Sequence, residues 1–230
     1  MTVAKPFGEH FQAGPDAFRA LAERALEREP NGAVFDPLHP PARGDHDLNP
    51  GIDPTQDFDK LRPAAVLVPV VVHLGEFTVL MTQRTDHLPS HAGQIAFPGG
   101  KMEPKDLNAK DTALRESEEE IGLARDAVDV IGYLDTYQTG TGFRIVPVVG
   151  LVQPGFATQI DPMEVAEIFE VPLAFLMDAG NHQRHSIVWK GRRRHYYAMP
   201  YENRYIWGAT AGIIRNLHER LMGSWSVSSS

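Results

Sequence analysis

The chain of 230 residues contains no cysteine. That absence excludes a disulfide framework, a cysteine-ligated zinc site and a thiol nucleophile. Also missing is any apolar run close to the roughly 20 residues that span a bilayer. The longest, Ala64–Leu74, is too short and is split by Pro69. The opening residues, MTVAKPFGEH, have no apolar stretch of the secretory kind, so a cytoplasmic protein without membrane contact is expected. Positive charge is in deficit: 22 Lys and Arg against 30 Asp and Glu leave a net charge of −8. Nucleic-acid affinity depends on neutralising phosphates, so nucleic acid is not an expected partner. An anionic small molecule remains open, because a bound cation reverses the field locally.

What is present is a composition that folds. Hydrophobic residues at 42% and charged residues at 23% exclude wholesale disorder, and the length suits one to two domains. Asp16–Glu29 has the period of an amphipathic helix, with Phe18, Leu21, Ala22, Ala25 and Leu26 on one face. Gly14-Pro15 and Pro30-Asn31-Gly32 bound it. From Asn31 to Pro63 the chain is rich in Pro, Gly, Asp and His and reads as an irregular arm.

The core is expected from Ala64. Ala65–His73 and Phe77–Gln83 are β-branched runs joined by a short turn, the pattern of a hairpin. Val128–Thr136 and Phe143–Val152 read as further strands, and Glu164–Leu176 mixes a short helical period with an apolar run. Ser186–Trp189 and His195–Ala198 flank a basic turn, and Ile206–Leu221 reads as a closing helix. The division that follows is 1–63 as a helix and arm, 64–222 as one α/β domain with a mixed sheet, and 223–230 as a mobile tail.

The informative stretch is Asn108–Leu123, NAKDTALRESEEEIGL. Asn108 suits a helix N-cap with Asp111 in a capping-box position, and Gly122 suits the left-handed residue past the end. At 100° per residue Leu114, Ser117 and Ile121 fall on one side and Glu116, Glu119 and Glu120 on the other. Like charges at this spacing repel, and the C-terminal half of a helix disfavours anions. A solvated acidic face is the ordinary explanation of such a run. A hard divalent cation resolves the same conflict, since it takes carboxylate oxygens.

Phe97-Pro98-Gly99-Gly100 precedes the helix, and paired glycines admit close approach of a ligand. Gly100, Arg115-Glu116, Glu119-Glu120 and Gly122-Leu123 together resemble the Nudix box of pyrophosphate hydrolases, G-x5-E-x7-R-E-U-x-E-E-x-G-U with U aliphatic. Asp106 stands where the box has Glu, eight residues rather than seven separate it from Arg115, and Ser117 takes an aliphatic position. Upstream, Leu80-Met81-Thr82-Gln83-Arg84, Gly93 and Phe97–Gly100 are similar to the coenzyme A pyrophosphatase signature, L-L-T-x-R-[SA]-x3-R-x3-G-x3-F-P-G-G. Met81 and Thr85 are mild departures. Pro89 replaces an arginine whose planar fork could bind a phosphate. His87 or His91 could stand in for it.

The resemblance implies a Nudix-type α/β/α sandwich, a mixed sheet between helices, with an N-terminal extension. It implies hydrolysis of the diphosphate of coenzyme A to 4′-phosphopantetheine and adenosine 3′,5′-bisphosphate, with Mg²⁺ or Mn²⁺ held by Glu116, Glu119 and Glu120. Arg115 would orient the glutamates, while Arg84, Gly99 and Gly100 would meet the substrate. The general base is a box glutamate or Glu164, and a structural role for Glu164 in the first turn of a helix is equally open. The run Lys190–His195 reads as a solvated turn in preference to a phosphate grip. A small-molecule nucleotide is the expected partner, and a homodimer is compatible with the chain. Other readings are a Nudix hydrolase of another nucleoside diphosphate derivative, or a non-catalytic nucleotide-binding module, which the intact glutamates disfavour.

Overall fold

The computed structural model describes residues 14–30, 43–53, 60–88, 91–189 and 191–228, with side chains as far as Gly223. Pro89, Lys190 and most of the arm lie outside the described residues. The elements run α1 (Pro15–Ala25), β1 (Arg43–Gly44), β2 (Arg62–His73), β3 (Glu76–Arg84), β4 (Ile95–Ala96), β5 (Gly99–Lys101) and α2 (Ala109–Ile121). Then follow β6 (Val128–Tyr133), β7 (Tyr137–Gln138), β8 (Phe143–Val152), β9 (Val165–Pro172) and α3 (Leu173–Leu176). The chain closes with β10 (Gln183–Trp189), β11 (Arg192–Tyr201), β12 (Arg204–Trp207) and α4 (Ala209–Ser228).

The main sheet is mixed, in the order β1-β7-β8-β2-β3-β4, with β5 also on β2, β6 on β8 and β9 on β3. Its spine is β2 beside β8, parallel from Arg62↔Phe143 to Val71↔Val152. Both strands are valine-rich because a parallel pair is covered on both faces. One face packs Leu67, Leu80, Val146 and Val148 against Ala113, Leu114 and Ile121 of α2. The other packs Val68, Val79, Met81 and Val149 with residues of α1, α4 and the smaller β10-β11-β12 sheet. This is the layered α/β/α arrangement expected of the sequence.

The strand and helix limits follow local chemistry. Asn108 caps α2 by accepting from Asp111 N–H at 3.0 Å. Asp111 reaches back one residue further than a capping box, accepting from Leu107 N–H at 3.1 Å. Gly122, at φ 69°, ends the helix, with Leu123 N–H on Ser117 O. Two expectations are corrected. Glu164–Leu176 is a strand followed by a single helical turn, so Glu164 sits in the turn before β9 and not at a helix start. The closing helix starts at Ala209 because Ile206-Trp207 pair with Met199 and Ala198, and Gly208, at φ 67°, turns the chain out of β12. The backbone of α4 continues to Ser228.

The N-terminal helix is integral to this core. Phe18, Leu21, Ala22 and Ala25 are buried with Ile213, Leu217 and Leu221, and the Phe18 ring lies 5.0 Å from that of Phe77. Arg220 of α4 reaches Glu27, just past α1, at 2.7 Å, and also pairs with Asp135 in the segment between β6 and β7. Phe18→Ala should therefore cost about 3–5 kcal/mol, the usual range for a phenylalanine removed from a packed core. Urea unfolding measures it; a loss within about 0.5 kcal/mol would mean that α1 is only loosely attached.

Candidate active site

The helix α2 brings its acidic residues to the edge of the main sheet, but it does not treat them alike. Glu120, which the helical wheel puts with the solvent-facing glutamates, is 4% exposed. Its Oε2 accepts from Gly99 N–H at 3.1 Å, and its Oε1 lies 3.7 Å from Arg84. Glu116 is half-buried and sits against Gly100, where an added Cβ would come within 2.5 Å of Glu116 Oε2. A side chain there would push the Glu116 carboxylate aside. Gly99 is confined by backbone: at φ 151°, a Cβ would meet Ala65 O at 2.4 Å. Glu119 points outward and pairs with Arg115 at 2.7 Å.

Arg115 is the organiser of this edge. Buried itself, it donates Nε and Nη2 to the two oxygens of Asp106 at 2.8 and 3.0 Å, a bidentate fork. The same guanidinium reaches Lys101 O at 3.1 Å and Glu116 at 2.9 Å. Asp106, whose side chain is 1% exposed, also accepts from Glu103 N–H and the Thr112 hydroxyl. Its position in the box thus serves to hold the arginine. An acidic residue nine positions before Arg115 was the signal for this, and the shift in spacing obscured it. The Arg115 hydrogen bonds hold the Asp106 carboxyl well below the usual carboxylate range.

The glutamates behave in the opposite way. Burial pushes Glu120 up to about 8, with the charges of Glu116 and Glu164 adding to the rise and Gly99 N–H and Arg84 opposing it. Burial also raises Glu116, against the pull of Arg115. Glu164 is exposed, in a turn held to the end of β3 by Thr85 N–H on Glu164 O at 3.1 Å. Thr85 Oγ1 and His87 Nε2 both reach Met163 O, at 3.2 and 3.1 Å. This tether was not foreseen, since the sequence placed Thr85 as a mild departure from the signature and His87 as a stand-in for its arginine.

Glu116, Glu120, Gly99, Gly100 and Arg84 are therefore assembled on one edge, with Glu164 near enough to act on both glutamates electrostatically. Glu119 is turned away to Arg115. Among the described residues no three His, Asp or Glu side chains are gathered closely enough to form a ready metal cage. No helix among them is long and apolar enough to cross a membrane.

The NUDIX domain family profile matches residues 60–189. The chain is 42% identical over 158 residues to the uncharacterized Nudix hydrolase NudL of Yersinia enterocolitica, covering 69% of this chain and 80% of that one. It is 41% identical over 160 residues to NudL of Yersinia pestis, covering 70% and 80%. Among solved structures, the NUDIX domain of Shewanella oneidensis NrtR is 19% identical, with a TM-score of 0.45 over 78% of this chain and 97% of that one. The chain belongs to the Nudix family, and as such is a hydrolase of a nucleoside diphosphate derivative.

That family generally uses a divalent cation, and the residues present fit one. The donors are all hard oxygens, the kind Mg²⁺ and Mn²⁺ take. Glu120 is a buried carboxylate with no full cationic partner in hydrogen-bond range, and the Gly100 cradle leaves the Glu116 carboxylate room.

The Asp106–Arg115 pair makes a pH prediction. Because the folded Asp106 sits below its ordinary 3.8, its stabilisation is complete above about pH 4 and is lost as pH falls through the folded value. Asp106→Asn should cost about 3 kcal/mol at pH 7, since Arg115 keeps Glu116 and Glu119 as partners. It should also flatten the decline of stability between pH 4 and 2. Equal pH dependence in variant and wild type would contradict this reading of the fork.

Proposed function

We propose that the enzyme hydrolyses the diphosphate of coenzyme A or its derivatives to 4′-phosphopantetheine and adenosine 3′,5′-bisphosphate, using Mg²⁺ or Mn²⁺. One arrangement supports this above the rest: the two halves of the upstream signature lie together beside α2. Thr82 pairs with Ala96 and Gln83 with Ile95, while Arg84 N–H donates to Gln94 O at 2.9 Å. The side chain of Arg84 thereby stands at Glu120, where a diphosphate would be brought to the carboxylates. The departure at Pro89 bears on which nucleotide is preferred and leaves the hydrolytic machinery intact.

In this reading Glu116 and Glu120, with Glu119 swinging from Arg115, hold the cation. When bound, it neutralises the diphosphate and lowers the pKa of an attacking water. The chain's own residues do the rest. Arg84 contacts a non-bridging phosphate oxygen, and its charge opposes what builds up as the water oxygen bonds to phosphorus. Glu164, exposed and near enough for its charge to raise both glutamates, takes the proton from that water. The bridging P–O bond then breaks, and its electron pair leaves with the departing phosphate. Arg115 orients Glu116 and Glu119 without touching substrate, and the Gly99–Gly100 backbone sets the depth of the site.

Incubation with coenzyme A, ADP-ribose and an NDP-sugar, each with Mg²⁺ or Mn²⁺, tests the proposal by mass spectrometry of the products. Adenosine 3′,5′-bisphosphate is expected from coenzyme A, with kcat/KM lowered about 10²-fold or more in Glu120→Gln. Glu164→Gln should lower kcat with little change in KM. Cleavage of ADP-ribose or the NDP-sugar in preference to coenzyme A would discard the substrate and keep the chemistry. No turnover of any of them would favour a nucleotide-binding module.

A further inference from the structure

The loop that carries Glu164 is fastened at both ends to elements that carry the other site residues. At one end it caps α2. Gln159 N–H donates to Ile121 O at 2.8 Å and Asp161 N–H to Glu120 O at 2.9 Å, which uses two of the carbonyls that a helix C-terminus leaves open. Asp161 then folds the loop on itself. Its carbonyl accepts from Glu164 and Val165 N–H at 3.0 and 2.9 Å, and its Oδ1 accepts from Met163 N–H at 2.8 Å. At the other end, the pairing of β3 with β9 skips one residue of β9 between Gln83↔Glu167 and Arg84↔Val165. Such a bulge re-aims the chain beside it. Here it sets Val165 opposite Arg84 and buries it in the cluster under α2, with Glu164 the next residue into the loop.

Three hydrogen bonds hold this loop beside Arg84: Thr85 N–H to Glu164 O at 3.1 Å, Thr85 Oγ1 to Met163 O at 3.2 Å, and His87 Nε2–H to the same carbonyl at 3.1 Å. They are unequal. Thr85 is buried, so its hydroxyl has no water to turn to, whereas His87 is exposed and water competes for its bond. The side chains of Met163 and Glu164 are both exposed, so backbone bonds locate these two residues and apolar packing does not. We infer that Thr85 is a positioning residue for hydrolysis: its hydroxyl, by holding Met163 O, keeps Glu164 within reach of the water it deprotonates, with His87 a lesser support. The inference rests on Glu164 as the base, as in the reading above. A base acts only within hydrogen-bond reach of its proton, so a loop displaced by about 1 Å loses rate at unchanged affinity. The device belongs to this chain's threonine, because the upstream signature also admits alanine at this position, and alanine cannot make the bond.

The test is steady-state hydrolysis of coenzyme A and of ADP-ribose with Mg²⁺ by the full chain, read on whichever is cleaved. Thr85→Val keeps the methyl group and the backbone bond and leaves Met163 O its bond from His87, so only the hydroxyl is lost. It should lower kcat about 5–10-fold with KM within about twofold, and Thr85→Ser should restore kcat to within about twofold of wild type. In a Glu164→Gln background Thr85→Val should cost less than about a further twofold, because a base that is absent cannot be misplaced. Amide hydrogen exchange reads the tether without substrate: Met163, Glu164 and Val165 should exchange faster in Thr85→Val and at the wild-type rate in Thr85→Ser. His87→Ala, at an exposed position, keeps the question open to test should Thr85→Val not fold, and should lower kcat about two- to threefold while speeding the same amides. Wild-type kcat in these variants, or an equal loss from Thr85→Val with and without Glu164, would overturn the inference and leave Glu164 as the base. Full activity of Glu164→Gln, or no hydrolysis of either nucleotide, would remove the base itself and the inference with it.

Discussion

A single guanidinium holds the edge of the candidate site in register. Burying an arginine is costly unless its donors are used, and Arg115 spends them on Asp106, Lys101 O, Glu116 and Glu119. Three separate stretches of chain are joined there: the loop after β5, the β5 backbone itself and the helix α2. With the helix fixed in rotation, Glu116 and Glu120 are forced against the glycine strand. Their crowding is then not relieved inside the protein, since Arg115 is already shared and Arg84 stands 3.7 Å off. Burial raises the Glu120 carboxyl, and the neighbouring charges of Glu116 and Glu164 add to that rise.

The same division of labour explains the box residues. Gly100 lies against the Glu116 carboxylate, and Gly122 is fixed by the left-handed end of α2, where a Cβ would also press on Gln159 N at 2.7 Å. Ser117, which breaks the aliphatic pattern, is buried and satisfies its hydroxyl on Ala113 O at 2.7 Å. A buried hydroxyl that returns to its own helix is tolerated where a free one would not be. Asp106 replaces a longer acidic side chain yet still reaches Arg115 with both oxygens.

Much of this was legible in the sequence because periodicity and caps are local. The hairpin of β2 and β3, the strand Phe143–Val152 and the helix from Asn108 to Gly122 follow from patterns within a dozen residues. The proximity of Arg84 to Glu120 was implied only through the family resemblance, since a strand end and a helix meet by tertiary packing. The unequal burial of Glu116, Glu119 and Glu120 was not legible. On an isolated helix their angles differ too little, and what separates them is the glycine strand that α2 packs against. Ile206-Trp207 were misjudged for a related reason: their apolar period continues that of α4, and pairing with β11 overrides it. The attachment of α1 is likewise a long-range fact, carried by Phe77, Leu217 and Arg220.

The central proposal is that the Arg115 framework leaves Glu116 and Glu120 as oxygen donors for a divalent cation. Direct Mn²⁺ binding, followed by electron paramagnetic resonance of the free ion, tests it without any substrate. The account predicts saturable binding by the wild-type chain and at least about tenfold weaker binding by Glu120→Gln. Equal binding by Glu120→Gln and wild type would contradict it.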